Sequence, residues 1–187
     1  MPRNVLQNPS AWFAVEVKPR HERSVAAVLE TKGVEVFLPI YRSSRRWSDR
    51  IKTLDLPLFP RYLFVRIEEA SQRIVVDSPG VCRIVGFGSG PEPIDDQEVR
   101  AIQMLVGSGL TLRPIKELLA IGDHVRILEG PLTGMEGVLD SRRRASRLIV
   151  SVALLMRSVA VEIEESWAER IEPAGLKARG AMLGEQR

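Results

Sequence analysis

Only one cysteine, Cys82, occurs in the 187 residues, so no internal disulfide can form and packing alone must hold the fold. Histidine is nearly as scarce. His21 and His124 are the only two, too few, beside one thiol, to build a nitrogen and sulfur metal cage. Neither has a catalytic partner at a motif spacing, Cys82 stands in an apolar strand context, and no Gly-x-Ser-x-Gly elbow occurs. The expectation is no metal, no cofactor and no enzyme. Long apolar runs are missing too. Leu148 to Met156 is broken by Ser151 and followed by Arg157, well short of the roughly 20 residues that cross a bilayer. Met1 to Ser10 carries Arg3 with no apolar stretch behind it, unlike a secretory signal. A cytoplasmic protein without a membrane partner is expected.

What is present suits a folded chain. Apolar residues make up 44% and charged residues 27%, enough to bury a core. The length accommodates one medium and one small domain. The net charge of +3 is mild, but it is unevenly placed. Arg42, Arg45, Arg46, Arg50 and Lys52 crowd one segment, and Arg142, Arg143, Arg144 and Arg147 another. Local basic patches of this kind suit a nucleic-acid neighbour.

Trp12 to Val17 reads as a first strand. Pro19 suits a first helical turn, Val25, Val28 and Leu29 recur at helical spacing, and Gly33 supplies a left-handed stop. Val34 to Tyr41 reads as a strand, Arg42 to Lys52 as a basic hairpin arm, and Leu58 to Ile67 as a long strand. A short helix over Glu69 to Asp77 precedes a strand at Val81 to Gly86. Asp95 is placed as the N-cap of a helix with Glu98 three residues on and Val99, Ile102, Leu105 and Val106 as its stripe. Strands interleaved with helices predict an α+β sandwich. After a patternless linker, short strands at Val125–Leu128, Glu136–Asp140, Leu148–Ala153 and Val159–Glu164, with turns at Gly130, Pro131 and Gly134, predict a small barrel.

Three motifs admit two readings each. Gly86 to Gly90 lies between a strand and a helix, but Asp95 and Asp96 open that helix and would repel phosphate, so a connecting turn is the better reading. Strand alternation sets Leu63, Val65 and Ile67 on one face and Tyr62 and Phe64 on the other. Both faces are apolar. Either helices cover both, or the aromatic side is a groove for a partner's helices, which the small number of helices favours. The basic arm, with Trp47 and Asp49, is either a solvated hairpin or a surface where cations meet phosphates and Trp47 stacks.

The stretch Leu58-Phe59-Pro60-Arg61-Tyr62-Leu63-Phe64-Val65 resembles the Phe-Pro-x-Tyr strand of NusG N-terminal (NGN) domains. Trp12-Phe13-Ala14-Val15 is similar to the family's opening strand, Pro79-Gly80-Val81 with Ile84-Val85-Gly86-Phe87 to its late strand, and Pro93-Ile94 to the lead-in of its last helix. Gly122-Asp123-His124-Val125-Arg126-Ile127-Leu128-Glu129-Gly130-Pro131-Leu132, with Gly134 and Gly137, looks like a KOW motif. The resemblance implies an N-terminal extension at 1–10, an NGN α/β sandwich with an antiparallel sheet at 11–107, a linker at 108–120, an SH3-like KOW β-barrel at 121–173 and a disordered tail at 174–187.

In function it implies a monomeric transcription elongation or antitermination factor that bridges the RNA polymerase clamp and opposite lobe and suppresses pausing or termination. Phe59, Tyr62 and Phe64 would meet the clamp helices of the largest subunit, and Gln72, Arg73 and Ile74 the lobe. Lys18, Arg20, His21 and Arg23 would face upstream or non-template DNA, with Arg45, Arg46 and Arg50 of the arm nearby. Leu154, Leu155 and Met156 match the tip that in some members binds a small-subunit ribosomal protein or Rho. Arg61 stands where housekeeping members usually have glycine, and the basic arm and linker resemble the specialised RfaH-like and polysaccharide-operon paralogues. The rival reading is a ribosome- or RNA-binding KOW protein, in which Tyr62 and Phe64 would be buried core.

Overall fold

The computed structural model describes residues 10–46, 51–88, 90–115, 122–140 and 146–171, giving backbone alone at 44–46 and 51–52. Trp47, Arg50 and Arg142 to Arg144 lie outside the described residues, as do most of the N-terminal extension and the tail. In the first module, β1 (Ala11–Val17) is the axis of an antiparallel sheet. It pairs with β5 (Tyr62–Ile67) on one side and with β6 (Val81–Ile84) and β7 (Pro93–Ile94) on the other, while β2 (Glu35–Phe37) extends the β5 edge. The register sets Phe13 opposite Val65 and Val15 opposite Leu63. With Val17 and Ile67 these side chains bury against Val25, Ala26 and Leu29 of α1 (Glu22–Thr31) and Val75 of α2 (Gln72–Val76).

Several expected boundaries move. The strand expected over Val34–Tyr41 divides into β2 and β3 (Ile40–Arg46), which lie in different sheets, and two further shifts have a backbone reason. The helix expected at Pro19 begins at Glu22, because Arg20 takes a φ of 66° and the chain turns before it coils. The long strand expected over Leu58–Ile67 is instead a turn followed by β5. The amide of Tyr62 donates to Phe59 O, Pro60 has no amide to offer a ladder, and Arg61 sits at a φ of 72°. The hairpin arm is formed by β3 (Ile40–Arg46) and β4 (Ile51–Pro57). Asp95 does cap α3 (Asp96–Gly107), accepting from the Gln97 amide at 2.7 Å.

The second module is a six-stranded antiparallel sheet in the order β13-β9-β10-β11-β12-β8. Its strands are β8 (Leu112–Ile115), β9 (Asp123–Ile127), β10 (Glu136–Asp140), β11 (Arg147–Val152), β12 (Arg157–Glu162) and β13 (Ala168–Arg170). Val125, Ile127, Leu148, Val150, Val159 and Val161 are fully or nearly fully buried within it. Positive φ at Gly130 and Gly134 turns β9 toward β10. The stretch 108–120, expected to be a patternless linker, contributes β8, which pairs with β12 from Leu112 opposite Val161 to Ile115 opposite Ser158. A strand partner fixes that segment where its own periodicity is weak.

Candidate functional site

The aromatic side of the first sheet is covered. Phe59 and Phe64 are each 1% exposed, Phe64 stacks on Phe37 with centroids 5.9 Å apart, and Phe59 meets Phe64 edge-on at 5.8 Å. Part of the cover comes from Val99, Ile102 and Leu105 of α3. The rest belongs to the second module, since one continuous buried cluster runs from Trp12, Phe59 and Phe64 to Leu155 and the barrel interior.

The outward side of β11 and β12 is closed as well. Ile149 and Ala160 alternate with interior residues of these strands and form a small cluster of their own with Val138, beside Ile115 of β8. Ile149, Ser158 and Ala160 are 2%, 0% and 2% exposed. Helix α3 packs against β11, and Ser151 and Ser158 share an Oγ–Oγ hydrogen bond of 2.8 Å. Two polar contacts join the modules at the rim. The Arg157 guanidinium lies 5.7 Å from the Tyr62 ring centroid, a cation–π contact, and the Ala153 amide donates to Glu98 Oε1 at 3.5 Å. Burial pushes the Glu98 carboxyl above the usual glutamate range, with Asp95 adding to the rise and the Ala153 amide opposing it.

The expected DNA-facing residues do gather. Lys18, Arg20, His21 and Arg23 are all exposed around the turn from β1 into α1. Arg23 Nη2 donates to Asp55 O at 3.1 Å, tying α1 to the basic arm, and His21 Nδ1 donates to Pro19 O at 3.0 Å. The side chains of Arg45, Arg46 and Arg50 lie outside the described residues. At the expected lobe contact, Gln72 is half-buried, Arg73 is exposed and Ile74 is 43% exposed. At the barrel tip Leu155 is buried and Leu154 half-buried, whereas Met156 is 59% exposed at a φ of 51°.

Sequence reasoning missed Glu22. An acid in the first turn of a helix ordinarily faces solvent, but this one is 6% exposed and accepts from the Arg61 amide at 2.8 Å. The Arg61 Nη2 in turn pairs with Glu16 at 2.8 Å. Glu16 also holds Arg83 Nε at 2.8 Å, and that hydrogen bond raises the Arg83 guanidinium above its ordinary value. The sequence signal was the non-glycine residue in the Phe-Pro-x-Tyr turn, which a left-handed backbone requires to be held from outside.

Comparison with known proteins agrees with this architecture. A family model described as "Transcription termination factor nusG" matches residues 10–103. The transcription termination/antitermination protein NusG of Pseudomonas aeruginosa is 31% identical over 177 residues, covering 86% of this chain and 98% of the relative. That of Escherichia coli K12 is 35% identical over 179 residues, covering 85% and 95%. A solved structure described as "Domain interaction in Thermotoga maritima NusG" superposes with a TM-score of 0.52 at 26% identity, covering 87% of this chain and 98% of that one. With the family model spanning half the chain and relatives matched along nearly their whole length, this chain belongs to the NusG family.

Proposed function

We propose that this protein is a transcription factor acting with RNA polymerase, and that its first module binds the polymerase through the side of the sheet now closed by the barrel. One observation carries the reading. The sheet's first face is covered by its own helices α1 and α2, whereas the aromatic face is closed in part by the second module. A surface of that kind supports a partner exchanging for the barrel. The chain is no enzyme in this reading, and its relatives are named transcription termination/antitermination proteins.

In finer detail, Phe59, Tyr62 and Phe64 engage the clamp helices of the largest subunit, and Gln72, Arg73 and Ile74 the opposite lobe. Bridging the cleft disfavours paused or terminating states by binding the closed clamp more tightly. Lys18, Arg20, His21 and Arg23, with Arg45, Arg46 and Arg50, meet upstream or non-template DNA. The exposed Met156 supports a second partner at the barrel tip, a small-subunit ribosomal protein or Rho. The role of a specialised, operon-restricted paralogue is supported by Arg61 and the basic arm, and the cytoplasm is the site of action. No helix among the described residues is long and apolar enough to cross a membrane.

Tyr62 is the side chain with which to test this, because it is only half-buried, whereas truncating Phe64 inside the core would cost about 3 kcal/mol or more of folding stability. Tyr62→Ala should weaken binding to core polymerase by about 2 kcal/mol while the chain stays folded. Unchanged polymerase affinity in the folded variant, or co-purification of the natural chain with ribosomal particles alone, would favour the RNA-binding reading.

A further inference from the structure

Where the two modules meet, a cleft of about 620 Å³ is lined by Arg20, Glu22, Arg23 and Tyr41 on one side and by Pro114, Ile115 and Arg157 on the other, with an apolar wall including Leu56, Leu58 and Pro60. That volume is in the range of small-ligand sites. We propose that this cleft binds a small organic phosphate of the nucleotide class, its phosphates held by Arg20, Arg23 and Arg157 and its apolar body by the proline and leucine wall beside Tyr41.

The charge pattern comes first. Three arginines line the cleft, and among the described residues none of them is paired with a carboxylate; Arg23 donates to Asp55 O and Arg157 lies over the Tyr62 ring. Among the described residues Glu22 is the one acid in the lining; it accepts from the Arg61 amide, so three cations stand against one carboxylate. Arg157 Nε is buried without a hydrogen-bond partner, which leaves a donor unsatisfied at a cost that an anionic acceptor would remove.

Backbone strain is concentrated in the same place. Among the described residues, Arg20, Arg61 and Met156 are the non-glycine positions with positive φ. The first lines the cleft, and the other two are bonded in the chain to Pro60 and Arg157, which also line it. Such strain persists where the surroundings fix a geometry for a purpose. The walls then decide the ligand class. A bare inorganic anion would use the arginines and leave the leucine and proline surface wet, whereas a nucleotide covers both. Because the arginines come from both modules, occupancy also holds the modules together. The site belongs to the docked arrangement, in which Arg157 also lies over the Tyr62 ring, and its test makes no use of polymerase.

Isothermal titration of the full chain with ATP at low salt tests it, with inorganic pyrophosphate and a short DNA duplex as comparison probes. The expected result is saturable binding of ATP at one site, tighter than that of pyrophosphate. Arg157→Gln should weaken it at least about tenfold through loss of a charge-assisted contact. Arg20→Gly provides a variant whose fold is safe, because a φ of 66° suits glycine. It should bind ATP at least about tenfold more weakly with no loss of melting temperature. No saturable binding of ATP, binding untouched by both substitutions, or pyrophosphate bound as tightly as ATP would overturn the proposal. A chain that binds the duplex but not ATP would make the cleft part of the nucleic-acid surface and overturn it as well.

Discussion

Arg61 allows a quantitative test of how the Phe-Pro-x-Tyr turn is held. Its φ of 72° lies in the left-handed region, which costs a residue with a side chain about 1 kcal/mol relative to glycine. Against that strain stand the Arg61 amide bonded to the buried Glu22 and the Arg61 guanidinium paired with Glu16. Glycine at this position would keep the first contact, relieve the strain and lose the second. The lost pair is half exposed on the arginine side, worth at most about 1 kcal/mol, and Glu16 would still hold Arg83. Arg61→Gly should therefore lie within about 1 kcal/mol of the natural chain. Arg61→Ala keeps the strain and loses the pair, so it should fall about 1 kcal/mol below the glycine variant. Urea unfolding followed by far-ultraviolet circular dichroism would measure both. An alanine variant as stable as the glycine variant would mean that the left-handed turn is not the source of the cost.

Other consequences are equally open to measurement. With its carboxyl pushed up by burial against the barrel, Glu98 favours docking in its neutral form, so that contribution is fully present at acid pH and is lost as pH rises through the raised value. Glu98→Gln should flatten the pH dependence of module docking, followed by small-angle scattering between pH 4 and 7; equal slopes in both proteins would remove Glu98 from the contact. At Gly137 an added Cβ would lie 2.7 Å from Ile149 O and 2.8 Å from Leu148 Cδ1, so Gly137→Ala should force β10 from β11 at a cost of about 1–3 kcal/mol, and an unchanged melting temperature would refute that collision. Under the proposed function, residues 1 to 108 alone should retain the proposed effect on pausing and bind polymerase at least as tightly as the full chain, since the fragment has no barrel to exchange for the partner; weaker binding by a folded fragment would give the barrel a positive part in the complex.

Much of each module could be read from residue pattern. The apolar, partly β-branched run Trp12 to Val17, the helical stripe behind Asp95 and the paired glycines after β9 are local signals, and the structure follows them. What stayed hidden is what depends on distant parts of the chain. In β8, Leu112 is the only buried residue among four, and strand geometry there comes from β12. Ile149, Ser158 and Ala160 form a face mixed enough to pass for a solvated one, so neither composition nor period announces that it is buried. Glu22 reads as a routine acid at a helix start, and its burial depends on the turn 39 residues away that it stabilises. The exposed basic group at the turn from β1 into α1 was legible because its residues are near neighbours in sequence, whereas the arginine of β12 that meets Tyr62 is far from every member of it.

The incorporation of β8 into the barrel sheet gives the tether between the modules two lengths. While β8 stays zipped to β12, only residues 108–111 separate it from the end of α3, a reach of about 14 Å. On that short leash the barrel can rock off the aromatic face but must remain beside it, poised to return. Peeling β8 away would lengthen the connection to β9 to about 50 Å, at the expense of one edge of the sheet. The barrel's working radius is therefore set by whether one four-residue strand is paired, and any partner that competes for the β12 edge would pay out the longer line.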